Sequence, residues 1–72
     1  MREEIMAKIN VLKELLKDYK DTNGYAAPKL INMVIKSAEI VIIDNNVSQF
    51  ENTINELQDI KTFVLKYPDL TI

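Results

Sequence analysis

The sequence predicts an all-α protein folded as an antiparallel up-down-up three-helix bundle, monomeric or dimeric, and three observations lead to that fold. Apolar residues recur at helical spacing in three separate stretches. Helix-breaking or helix-starting residues separate and follow those stretches: Asn23, Gly24 and Pro28, then Asp44 to Asn46, then Pro68. Both connections are only a few residues long, so consecutive helices must run antiparallel. The expected helices span about 3–21, 27–43 and 48–66, followed by a short tail, 67–72, with the whole chain, 1–72, as one helical domain.

The first helix is the clearest. Ile5, Ile9, Leu12, Leu16 and Tyr19 follow a four-three-four-three spacing that lays them along one face. Val11 and Leu15 widen that stripe, while Lys13, Lys17 and Lys20 line the other edge, where long aliphatic stems can cover an apolar rim. Glu4 and Lys8 stand four apart and are expected to pair. The helix should stop between Asp21 and Gly24, with Asn23 and the single glycine supplying a left-handed cap and Tyr25 folding back onto the last turn.

Pro28 is placed at the start of the second helix, where its missing N–H is not needed. The polar residues Lys29, Asn32, Lys36 and Glu39 form a narrow strip. Leu30, Ile31, Val34, Ala38, Val41 and Ile42 face the other way, so this helix is expected to be the most buried and to lie against both neighbours. The β-branched run at its end also reads locally as a strand, but a lone short strand has nothing to pair with.

Asp44, Asn45 and Asn46 form a polar turn. Ser48 and Glu51 then match the S-x-x-E capping box that opens a helix. The third stripe is Phe50, Ile54, Leu57, Ile60 and Val64, with Leu65 and Tyr67 at its margins, and Pro68 disfavours further helix. Packing of Leu70 and Ile72 on the open end of the bundle is preferred over capture of this tail in another protein's groove.

Composition narrows the function by exclusion. With 72 residues, a 47% hydrophobic fraction and 28% charged residues, the chain has the make-up of a folded protein rather than a disordered one. A domain this small buries only about 60% of its unfolded surface, so self-association would help it. There is no histidine or cysteine, which removes disulfides, the usual zinc ligands, histidine-based triads and thiol nucleophiles. The expectation is therefore a non-enzyme with no cofactor, no metal and no small-molecule substrate. Glu3 and Glu4 follow Met1 with no basic region before a long apolar run, so neither a secretory signal nor a membrane span is expected, and the cytoplasm is the default location. Net charge is −2, and the third helix turns Glu51, Glu56 and Asp59 outward, where phosphates would be repelled, so nucleic acid is not expected as a partner. Abundant isoleucine, lysine and asparagine suggest an AT-rich gene from a low-GC bacterium, its phages or its plasmids.

Two patterns imitate sites. Asp44, Asn46 and Ser48 match the first ligands of a calcium-binding loop, but Gln49 replaces the required glycine and Asn55 the bidentate glutamate. Glu51, Asn55 and Asp59 share one face of the third helix, which reads as a solvated acidic surface rather than an acid/base pair in a cleft. More informative are Met33, Ile40 and Ile43, which alternate with Lys29 and Lys36 on the side of the second helix away from the core, and Phe63, beyond the core stripe of the third. These six are the candidate partner-binding residues. The competing explanation is that a thin bundle buries its flanking residues too. The functional expectation is a small protein–protein interaction module, a regulator or inhibitor of a larger protein, with a self-assembling structural subunit as the alternative and a nucleic-acid-binding protein third.

Overall fold

A computed structural model of the chain describes residues 1–19 and 24–71. Three helices, α1 (Arg2–Leu16), α2 (Ala26–Ile43) and α3 (Phe50–Lys66), pack each against both others in an antiparallel up-down-up bundle. Among the described residues there is no named strand, and the end of α2 is helical rather than extended. No helix in these residues is long and apolar enough to cross a membrane.

The core forms where the three apolar stripes meet. Ile5, Ile9 and Leu12 of α1, Ile31, Val34, Ile35 and Ala38 of α2, and Phe50, Leu57 and Val64 of α3 are all buried. Leu16, Tyr19, Ile54 and Ile60, expected in the same stripes, are partly buried against that cluster. As expected, α2 contributes the most buried positions, with Ala27 and Pro28 joining its core row. Ile35 is an addition to the expected row. It lies about 60° from Ala38, close to Ile31 and Ile42 on the inward arc.

α1 ends earlier than its pattern suggests. Lys17, Asp18 and Tyr19 donate to the carbonyls of Glu14, Leu15 and Leu16, so the last turn tightens into three-residue hydrogen bonds. Asp21 and Asn23, part of the expected cap, and Lys20 lie outside the described residues. Gly24 does adopt a left-handed φ of 89°, but it stands just before α2 and not at the end of α1. Tyr25 approaches Tyr19 as anticipated, their ring centroids 5.6 Å apart.

α2 starts two residues before Pro28, which still falls in the first turn, where no N–H is required. Its C-terminal end is a Schellman motif: the Asn46 N–H donates to Val41 and the Asn45 N–H to Ile42, with Asn45 left-handed at φ 52°. The expected capping box does not form. A 3₁₀ turn, Val47–Gln49, intervenes, the Ser48 hydroxyl donates to Asn46 Oδ1 at 2.9 Å, and α3 begins only at Phe50. Ser48 is thus committed to the turn before the helix and does not cap it.

Glu4 and Lys8 do not pair either. Lys8 Nζ donates instead to Gln58 Oε1 at 3.0 Å, linking α1 to α3, and Arg2 donates to Asn45 Oδ1 at 3.1 Å, linking the start of α1 to the α2–α3 turn. At the opposite end the tail closes the bundle through its backbone. Ala26 N–H donates to the Leu70 carbonyl at 2.9 Å, Tyr25 and Thr71 form an isolated antiparallel bridge, and the Tyr19 hydroxyl donates to Pro68 O at 2.9 Å. The Leu70 side chain stays 45% exposed and does not join the residues packed against the core; Ile72 lies outside the described residues.

Candidate interaction surface

On α2 at 100° per residue, Lys29, Met33, Lys36, Ile40 and Ile43 repeat at four-three-four-three spacing, which makes a second seam on the back of the core row. Its apolar members are open: Met33 is 64%, Ile40 50% and Ile43 79% exposed, and Lys29 and Lys36 are exposed beside them. Ile31, Val34 and Ala38, about half a turn away, are buried. The seam therefore exists because α2 carries apolar residues on both faces while α1 and α3 cover only one.

Met33 does more than stand on a convex surface. With Leu30, Val34 and Ser37 of α2 and Glu56, Asp59 and Ile60 of α3 it lines an open groove of about 300 Å³. The floor is aliphatic. Carboxylates stand along the α3 side and the two lysines along the far edge of α2, so the α2/α3 face runs from basic through apolar to acidic. Met33 and Glu56 belong to separate helices. Nothing in the spacing of either helix sets them across one groove, because that depends on how far α2 and α3 are shifted along each other.

Phe63, expected to be an open aromatic anchor, is only partly exposed. Its ring tilts against Tyr67 at a centroid distance of 5.1 Å, and Lys66 Nζ lies 5.5 Å from the Tyr67 ring on the same end of α3. Met6, Val47 and Leu65 are more open than Phe63, although sequence reasoning does not select them. Their scattered positions along the chain give no stripe to follow.

Two other hollows flank the bundle. One, between α1 and α3, holds about 260 Å³ and is lined by Glu4, Ala7, Lys8, Val11, Gln58 and Lys61 above Leu57. The Lys8–Gln58 hydrogen bond ties its two walls together. The other, of about 370 Å³, lies beneath the tail between Leu15, Asp18, Tyr19, Val64, Pro68 and Asp69. There burial pushes the Tyr19 phenol above its ordinary pKa of 10.0, and the carboxylates of Asp69 and Asp18 push it the same way.

The acidic row of α3, Glu51, Asn55 and Asp59, is exposed. Among the described residues no three acidic side chains converge closely enough to hold a metal ion. Asp44 is the C-cap of α2 and Ser48 is bonded to Asn46, so the residues that imitate a calcium loop act as a helix-joining turn. Comparison with models of known families, with curated proteins and with solved structures finds no match for this chain.

Proposed function

We propose that this chain is a non-enzymatic protein–protein interaction module that binds through the outward face of α2, acting as a regulator or inhibitor of a larger protein. The observation that carries this reading is the second seam. Met33, Ile40 and Ile43 present aliphatic surface at coiled-coil spacing, and the core of the bundle uses none of it. Apolar side chains ringed by charge fit an interface centre with a polar rim, the apolar part supplying affinity and Lys29 and Lys36 supplying orientation. Helix-in-groove or helix-on-helix docking is the mode such a stripe suits.

The test compares the tagged full chain with a Met33→Gln, Ile40→Gln, Ile43→Gln variant in capture from the native host, beside far-UV spectra of both. Glutamine keeps helix propensity while removing the apolar surface. A helical variant that loses its partner is the expected result. A helical variant that retains every partner would sink the reading.

A further inference from the structure

The α2/α3 face has a charge order that identifies one occupant, and the inference rests on reading α2 as a binding surface. Lys29 and Lys36 form one edge, Met33, Ile40, Leu30 and Ile60 the middle, and Glu56 and Asp59 the opposite side. Within one copy these charges do not meet; among the described residues the one ion pair joins Lys17 to Glu14. The groove sets Met33 and Ser37 of α2 alongside Glu56 and Asp59 of α3, and Lys36 lies within one turn of both α2 residues, so the two lysines and the two carboxylates fall within the same stretch of the bundle.

A surface that is basic on one edge and acidic on the other is complementary to itself under a twofold rotation. With the axis lying in the face and parallel to the helices, α2 of one copy lies over α3 of the other at the same level. Lys29 and Lys36 then straddle Glu56 and Asp59 of the other copy, and every contact is made twice. Met33 of each copy enters the groove of its mate, a flexible apolar side chain over an aliphatic floor. We propose that a second copy of this chain covers the α2/α3 groove in such an isologous dimer.

The other twofold arrangement, α2 against α2, is disfavoured by the same residues. Lys36 is the middle member of the seam Lys29, Met33, Lys36, Ile40, Ile43, so an axis centred on the seam brings two Lys36 ammonium groups together. The long face measures 34 by 19 Å, so each copy buries about 600 Å², somewhat under the roughly 800 Å² per partner of a standard interface. An interface of that size belongs with reversible rather than obligate pairs.

The experiment uses two charge-reversed chains and sedimentation from about 10 µM to about 1 mM. One chain carries Lys29→Glu and Lys36→Glu; the other carries Glu56→Lys and Asp59→Lys. All four positions are exposed, so both chains should keep the helical spectrum of the parent. The parent dimerises, each reversed chain alone loses at least tenfold in dimer affinity, and an equimolar mixture of the two dimerises again because every lysine meets a carboxylate. A parent monomeric at all concentrations overturns the proposal. So does a Glu56→Lys, Asp59→Lys chain that dimerises as well as the parent, which is the result that α2-on-α2 pairing gives, or a mixture that stays monomeric. Failure here leaves the capture experiment with the glutamine variant as an independent test of α2 as a binding face.

Discussion

The two faces of α2 are built from the same kinds of side chain and have opposite fates. Inward, Ile31 and Ala38 are fully enclosed and Val34 and Ile35 nearly so; outward, Met33, Ile40 and Ile43 stand in solvent on the same eighteen residues of helix. Hydrophobicity alone does not assign the burial. Angular position relative to α1 and α3 does, and packing within the bundle leaves the outward seam open.

The largest expected effect is on the inward face and its partners. Ile31→Ala, Leu12→Ala and Leu57→Ala should each cost roughly 2 to 5 kcal/mol, with Val34→Ala at the lower end, measured by denaturant unfolding. In a domain of this size one such loss can unfold the chain. Losses under about 0.5 kcal/mol at all four would mean that the inward face is wrongly assigned.

Next come the two ends of α2, which are held by different means. At the C-terminal end Asn45 occupies a left-handed conformation, so Asn45→Ala should cost about 1 kcal/mol while Asn45→Gly should not. An equal loss in both would point to the hydrogen bond from Arg2, and not to the backbone, as the important feature. At the N-terminal end Tyr19→Phe removes the bond to Pro68 and should cost about 1 kcal/mol near neutral pH.

The same phenol makes this end sensitive to alkali. Its folded-state pKa is raised above 10.0, chiefly by burial and then by Asp69 and Asp18, so the folded state holds the proton more tightly than the unfolded one. Its contribution is complete below pH 10.0 and is lost as pH rises from there through the folded value. Stability followed over that range should fall less steeply for Tyr19→Phe than for the parent. Parallel curves would remove Tyr19 as the source of the slope.

The smallest effect belongs to the outward face. Met33→Gln, Ile40→Gln and Ile43→Gln should each change the stability of a dilute, monomeric chain by no more than about 0.5 kcal/mol. A loss of several kcal/mol from the triple variant would make the outward seam a flank of the core, and the contrast between the faces would collapse.

What the sequence discloses and what it hides divide along physical lines. The rows Ile5, Ile9, Leu12 and Ile31, Val34, Ala38 are readable because period and burial coincide in an amphipathic helix. The openness of Met33, Ile40 and Ile43 follows from the same arithmetic. Ser48 misleads because a capping box is a local signal, and the 3₁₀ turn gives its hydroxyl a nearer acceptor. Lys8 misleads likewise, since Gln58 on another helix competes with Glu4 on its own. The groove beside Met33 and the partial burial of Phe63 depend on contacts beyond any one helix, which no periodicity encodes.

The bond from the Ala26 N–H to the Leu70 carbonyl has a consequence for the order in which the chain folds. Most of the bundle is made of helical turns and of helices adjacent in sequence, contacts that form quickly. The start of α2 has no side-chain cap, and its first donor is answered by a residue near the far end of the chain. The neighbouring Tyr19–Pro68 bond spans 49 residues, so both closures carry a long-loop entropy cost that helix formation alone does not offset. During synthesis this junction must wait for residue 70. The last part to form is then the first to open, so the amide of Ala26 should exchange its hydrogen well before those of Ile31 and Ile35 in the middle of the same helix.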